Sequence, residues 1–111
     1  INENGGKAYG INNPVCTTGE AIIEFALEKF GKIDIIINNT FTNKPGNIPY
    51  MSSSAWNFSL RINLKSCYRL MRKAWPVLRS NKNARVIFLN GFSEYLGAGS
   101  IIDGATRLAI Q

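Results

Sequence analysis

Apolar residues follow two different rhythms along this chain. Ile33-Asp34-Ile35-Ile36-Ile37 and Val86-Ile87-Phe88-Leu89 are short, nearly unbroken runs rich in β-branched residues. They are too short for helices, and their density predicts strands buried on both faces. Both end in amides, the first run, Lys32 to Asn39, in Asn38-Asn39 and the second, Arg85 to Asn90, in Asn90. Elsewhere apolar residues recur every three or four positions. Ile22, Ile23, Ala26, Leu27 and Phe30 predict a helix ending near Phe30, with Glu20, Glu24 and Glu28 on another side and Gly31 in the left-handed position beyond its end. Thr17-Thr18-Gly19-Glu20 has the spacing of a capping box at its start. A longer helix over 54–80 carries the apolar stripe Trp56, Leu60, Leu64, Cys67/Tyr68, Met71, Trp75 and Leu78. Arg61, Lys65, Arg69 and Arg72/Lys73 form a basic stripe at the same spacing. Ser52-Ser53-Ser54 supplies N-caps, Pro76 is expected to bend or loosen the helix, and Ser80-Asn81-Lys82-Asn83 ends it.

Shorter signals complete the order. Lys7 to Ile11 is a strand candidate between the Gly5-Gly6 turn and Asn12-Asn13-Pro14. A loop passes through Pro45-Gly46-Asn47, a glycine-rich loop runs from Gly91 through Gly97 and Gly99, and Asp103 to Gln111 starts another helix. The order is strand, helix, strand, helix, strand, helix, with connections suited to right-handed crossovers, which predicts an α/β fold with a parallel sheet. Such sheets bind ligands beyond the carboxyl ends of their strands, where the amides stand.

Composition narrows the chemistry. A chain of 111 residues, 45% hydrophobic, has room for one core, so 1–111 is at most one domain. The absence of histidine and the wide separation of Cys16 and Cys67 remove ordinary zinc sites and histidine-based triads. Both thiols read as small buried or half-buried residues. No apolar run is long enough to span a bilayer. The net charge of +6 is concentrated: no Asp or Glu occurs between Asp34 and Glu94, while cations recur from Lys44 to Arg85. Such a field attracts nucleic acid, anionic lipid or a phosphorylated cofactor without choosing among them.

Three segments in this order resemble the short-chain dehydrogenase/reductase family over essentially the whole chain. Ile33 to Asn39 looks like the strand ending Asn-Asn-Ala-Gly, Arg61-Ile62-Asn63-Leu64 like the helical Val-Asn-Leu motif, and Arg85 to Asn90 like the strand before the catalytic serine. Arg69 to Pro76 further resembles the hydroxyacyl-CoA dehydrogenase domains of fungal peroxisomal multifunctional enzymes. The resemblance implies a partial doubly wound Rossmann-like sheet, holding the family's strands three, four and five and lacking the first two. Those strands and the phosphate-binding turn would lie upstream of Ile1. It also implies NAD or NADP as cofactor, an alcohol or carbonyl such as a 3-hydroxyacyl-CoA as substrate, and a peroxisomal location, with a cytoplasmic one if the narrower match fails. The family's use of the long helix in dimers implies a homo- or hetero-oligomer through 54–80.

The family reaction needs a tyrosine that exchanges a proton with the substrate oxygen, and a lysine four residues later that lowers its pKa and holds the cofactor ribose. A serine thirteen residues before the tyrosine hydrogen-bonds the substrate, and an asparagine on the long helix holds a relay water. In that register Asp103 stands for the tyrosine, Arg107 for the lysine and Asn90 for the serine (103 − 90 = 13), and Asn63 is retained. An aspartate beside an arginine is ionised near neutral pH and has no proton to give a carbonyl. The Asp103–Arg107 pair then reads as surface support for a helix. Asn90 is either a donor to a carbonyl or a strand-end amide serving backbone. Neither Tyr68 with Arg72 nor Tyr95 with Gly99 restores the dyad, and Ser93 reads as a loop residue. By the same resemblance Asn38, Asn39, Thr40 and Arg107 are the cofactor-binding positions. Thr40-Phe41 replaces Ala-Gly, so Phe41 either crowds the cofactor or cleft or covers the edge of the core. The leading expectation is a degenerate, inactive dehydrogenase segment. The alternatives are an oxidoreductase active once completed by further segments, and a binding or scaffolding module using the cationic helix, with nucleic acid disfavoured as its partner.

Overall fold

A computed structural model describes residues 1–12, 15–42, 48–91 and 101–110. The expectations for Lys44, Pro45-Gly46-Asn47, Ser93, Glu94, Tyr95, Gly97 and Gly99 fall outside these residues. After a 3-10 turn at Asn2–Asn4 come helix α1 (Val15–Phe30), strand β1 (Ile35–Asn38), a 3-10 turn at Ile48–Tyr50 and helix α2 (Ser53–Leu60). A π-helical turn (Arg61–Lys65) joins α2 to α3 (Ser66–Arg79), and β2 (Arg85–Phe88) and α4 (Ile101–Leu108) follow.

β1 and β2 pair in parallel with Ile35 opposite Arg85 and Asn38 opposite Phe88, so the α/β expectation holds with two strands. The third did not form. Lys7 to Ile11 has no ladder among the described residues; the Asn2 side chain bonds the Ala8 backbone instead, and Tyr9 packs edge-on against Phe30 at 5.5 Å between centroids. A strand exists only with a neighbour to pair, and none of the described residues supplies one.

α1 and α3 cover one face of the sheet. Ile23, Ile33, Ile36, Leu70, Ala74 and Leu78 form the core, with Val86 packed at its margin. Gly19 lets α1 approach closely: a Cβ there would stand 3.1 Å from the Leu70 nitrogen. The strands are buried on one face rather than two, because Ile36 and Asn38 point into this layer while Ile35 and Ile37 stay exposed.

Ends of elements follow local chemistry. Gly31 terminates α1 at φ 74°, its N–H bonding the Leu27 carbonyl at 2.8 Å. α1 starts at Val15, which puts Thr17 inside its first turn; the Thr17 and Thr18 side chains of the expected capping box lie outside the described ones. Ser52 caps α2 by accepting from the Ala55 N–H at 3.2 Å. Pro76 does not end α3, which continues to Arg79; the irregularity in the long helix is the π turn around Asn63.

That helix buries a different stripe from the one its large apolar residues predict. The buried positions are Ser59, Asn63, Ser66, Cys67, Leu70, Ala74 and Leu78, whereas Tyr68 and Trp75 are 61% and 59% exposed. Small residues face inward because α1, α4 and the sheet approach closely there.

Candidate functional site

The carboxyl end of β1, the π turn and α4 meet around Asn63, which is 1% exposed. Its Oδ1 accepts from the Thr42 N–H at 2.9 Å, while its Nδ2 donates to the Thr42 carbonyl at 3.0 Å and to Thr106 Oγ1 at 3.2 Å. The side-chain amide thus pairs with a backbone amide as a neighbouring strand would. It fixes the loop after β1 to the long helix and to α4. A π turn leaves a wider backbone spacing, and such turns recur at functional sites.

Asn38 continues the network. Buried at 7% exposure, it donates to Cys67 Sγ at 2.9 Å and accepts from the Thr40 N–H at 3.1 Å. Cys67 donates in turn to the Asn63 carbonyl at 3.2 Å, and Ser66 Oγ donates to the Ile62 carbonyl. The thiol is buried and free, and it joins two amides 25 positions apart in sequence (63 − 38 = 25). An apolar environment makes these bonds consequential, since a buried polar group left unmade costs about 1–3 kcal/mol.

Asp103 and Arg107 lie on the same helix face, and the pair is buried where surface support was expected. Arg107 Nε is 3.7 Å from Asp103 Oδ1, with side-chain exposures of 14% and 6%. Burial follows from the packing of α4 against α2 and the π turn. The Arg107 guanidinium lies over the Phe41 ring, its Cζ 3.5 Å from the centroid. The same guanidinium lies close to Gly91, where a Cβ would come within 2.5 Å of one terminal nitrogen. Phe41 is half-buried, a loop aromatic held down by a cation.

Asn90 serves backbone. It donates to the Arg107 carbonyl at 3.0 Å, accepts from the Gly91 N–H at 3.1 Å, and receives Arg107 Nη1 at 3.3 Å. Asn39 is exposed and Thr40 half-buried. The structure therefore gathers Asn63, Asn90, Asp103 and Arg107 with Asn38 and Thr40 at one end of the sheet. Sequence reasoning missed Thr42, Cys67 and Thr106 as members of this cluster. Thr106 had a signal available, lying three residues after Asp103 and one before Arg107 on a helix whose inner face was in question.

These side chains do not suit a nicotinamide dinucleotide held as the resemblance implies. The Asn38 amide is engaged by Cys67 and Thr40, and the Arg107 guanidinium by Phe41, Asn90 and Asp103. Among the described residues no three His, Cys, Asp or Glu side chains could hold a metal, and no helix is long and apolar enough to cross a membrane.

Comparison with known proteins points one way. A profile of the short chain dehydrogenase family matches residues 2–99. The peroxisomal hydratase-dehydrogenase-epimerase of Neurospora crassa is 37% identical over 83 residues, 75% of this chain and 9% of that protein. Its Saccharomyces cerevisiae counterpart is 34% identical over 87 residues, 78% of this chain and 10% of that protein. A short-chain type dehydrogenase/reductase of Mycobacterium tuberculosis is 30% identical over 113 aligned positions, 99% of this chain and 40% of that protein. Among solved structures, one described as a short-chain dehydrogenase/reductase from Burkholderia xenovorans superposes with a TM-score of 0.83 at 17% identity. It covers 98% of this chain and 45% of that one, and at this identity it speaks to fold alone. The chain spans about a tenth of the fungal relatives and under half of the bacterial proteins.

Proposed function

This chain belongs to the short-chain dehydrogenase family, and from that premise we propose that residues 1–111 are one incomplete Rossmann-like unit whose catalytic position no longer turns over substrate. The ancestral activity in this reading is NAD- or NADP-dependent oxidoreduction of an alcohol or carbonyl, such as a 3-hydroxyacyl-CoA. A peroxisomal setting accords with the peroxisomal enzymes among its relatives.

One observation carries the reading: Arg107, in the position of the family's lysine, spends its guanidinium on Phe41 at 3.5 Å. A lysine there serves a neighbouring phenol and a cofactor ribose. A fork of fixed N–H donors stacked on a ring and bonded to Asn90 serves the fold. Asp103 replaces the phenol, and its carboxylate lies 3.7 Å from that guanidinium on the same helix face. Asn63, the retained position, places its amide on Thr42 and Thr106, which is a scaffolding task.

The test is a turnover assay of the purified chain with NAD or NADP and a 3-hydroxyacyl-CoA, with cofactor affinity measured in parallel by calorimetry. No turnover and no saturable cofactor binding are expected. Turnover that disappears on Asp103→Asn or Asn63→Ala would sink the proposal and favour an active enzyme.

The outer face of the long helix favours a second role. Tyr68 and Trp75 are exposed on it beside Arg61 and Lys65, and Leu60 and Leu64 line an open groove with Tyr68. In this reading the face contacts a partner subunit, as the family's long helix does. Light scattering of Tyr68→Lys and Trp75→Lys variants tests it: both should shift the chain toward monomer, and an unchanged mass would count against the contact.

A further inference from the structure

A cleft of about 440 Å³ opens between α1 and the long helix, on the outer surface of the helix layer. It is lined by Gly19, Glu20, Lys65, Tyr68, Arg69 and Arg72. Small-molecule sites occupy about 300–1,000 Å³, so the cleft has room for one ligand. Its position sets it apart from the cluster at the end of β1, because Asn63 turns inward while Lys65, Tyr68 and Arg72 are exposed.

Charge distinguishes this cleft. Lys65, Arg69 and Arg72 recur at i, i+4 and i+7, which brings all three to the same side of the helix. Like charges at this spacing weaken a helix, and no Asp or Glu occurs anywhere on 53–79 to offset them. Other cations have taken carboxylates: Lys73, on the same helix, holds Glu24 at 2.6 Å, and Lys32 holds Asp34 at 2.9 Å. No carboxylate of a described residue is within ion-pair distance of Lys65 or Arg72. Glu20 is the one carboxylate among the lining residues, so the cleft carries a net charge of +2 (3 − 1 = 2). Cations of one sign around a concave surface concentrate an anion there.

We propose that the cleft binds the diphosphate group of a small soluble ligand. From Lys65 to Arg72 the helix rises roughly 10 Å, a span that suits two phosphoryl groups better than one. A diphosphate diester also carries the two negative charges that the cleft leaves unmatched. The forked guanidinium of Arg72 takes paired phosphoryl oxygens at one end, Lys65 supplies a compact charge at the other, and half-buried Arg69 adds its field between them. Tyr68, 61% exposed, presents its hydroxyl as a donor and its ring to the organic part of the ligand. Glu20, also exposed, accepts from a hydroxyl of that part. This site lies beyond the cofactor position at the strand ends and does not depend on whether that position is active. Lys65 and Tyr68 also border the groove of the outer face, whereas Glu20 and Arg72 line the cleft and not the groove, so variants at these two separate the ligand from the partner contact proposed above.

Calorimetric titration of the 111-residue chain with inorganic pyrophosphate, at one fixed ionic strength, is the test. Saturable one-to-one binding is expected, roughly tenfold tighter than that of orthophosphate. Arg72→Gln should weaken it roughly fivefold, while Lys82→Gln, which removes the same charge outside the cleft, leaves it unchanged. Glu20→Gln should tighten it roughly twofold, because pyrophosphate offers that carboxylate no hydroxyl and only repulsion. Circular dichroism confirms that each variant is folded. The proposal is overturned by the absence of saturable binding, by equal losses in Arg72→Gln and Lys82→Gln, or by a Glu20→Gln affinity that stays the same or falls. Phosphatidylcholine vesicles carrying phosphatidic acid test the other source of phosphate: sedimentation of the chain with them that Arg72→Gln abolishes would place the phosphate on a membrane and overturn a soluble ligand.

Discussion

The guanidinium of Arg107 packs against the ring of Phe41 with its Cζ 3.5 Å from the centroid, tying α4 to the loop after β1. In the register that the proposed function adopts, both residues stand where the family has other side chains, and each would supply the other's contact. A cation over a ring shielded from water contributes about 1–2 kcal/mol. Phe41→Ala and Arg107→Ala should each lower the urea midpoint, and the double variant should cost about 1 kcal/mol less than the sum of the two. Additive effects would show that the stack contributes nothing.

Two glycines separate an inexpensive clash from a costly one. At Gly91 an added Cβ meets Arg107 Nη1 at 2.5 Å and Cζ at 2.7 Å, the movable end of a long side chain. Gly91→Ala should cost about 1 kcal/mol through loss of the stack, and close to nothing when Arg107 is already alanine. At Gly19 the Cβ meets the Leu70 nitrogen at 3.1 Å and its Cα at 3.2 Å, the backbone of a packed helix. Alanine gains about 1 kcal/mol of helix propensity there, yet overpacking of about 1–3 kcal/mol opposes it. Gly19→Ala should therefore be destabilising overall, as denaturation would show by a lower midpoint.

Asn63 holds the Thr42 N–H and carbonyl and the Thr106 hydroxyl, at 2.9, 3.0 and 3.2 Å. Asn63→Ala leaves buried partners unmade and should cost about 2–4 kcal/mol. It should also release the Thr42 amide to hydrogen exchange. An unchanged Thr42 rate would mean that another contact fixes the loop.

Asp34 is held below the ordinary carboxylate range by its hydrogen bond to Lys32 and then by Asn81, whose Nδ2 donates to Asp34 Oδ1 at 2.9 Å. A depressed folded pKa stabilises the fold above the unfolded value of about 3.9. That stabilisation is lost as the pH falls from there through the folded pKa. Asn81→Ala should raise the Asp34 pKa, measured by carboxyl NMR titration, and leave stability at neutral pH less dependent on this carboxylate. A titration identical in both proteins would remove Asn81 from the account.

Much of the fold was legible because local chemistry and packing agree in it. Ile23, Ala26 and Leu27 pack inward at helical spacing while Phe30, at the end of the stripe, is 48% exposed; Gly31 takes the left-handed turn, and the two aliphatic runs pair in parallel. Lys7 to Ile11 misled because strand propensity without a pairing neighbour makes no strand. The long helix misled for a different reason: its inner positions are chosen for close approach, so Ser59, Ser66 and Ala74 go inside while Tyr68 and Trp75 stand out. Of the candidate site, the cluster of Asn63, Asn90, Asp103 and Arg107 was legible from the resemblance. Its burial was not, because an i, i+4 pair looks alike on a surface and in an interior until the facing helix is known. The Asn38–Cys67 bond was also hidden, since nothing in a lone thiol announces an amide 29 positions away.

The π turn at Arg61–Lys65 gives the long helix one residue more than a regular α-helix of the same rise needs. Five residues at π spacing cover about the same turn and rise as four at α spacing, so removing one residue there would let the helix close into a regular α form with α2 and α3 keeping the faces they bury. What would go is the wide turn itself, and with it the place from which Asn63 reaches Thr42 and Thr106. The extra residue therefore serves the cluster at the end of β1 and not the helix, and a single-codon deletion should leave the helix regular while releasing the loop after β1.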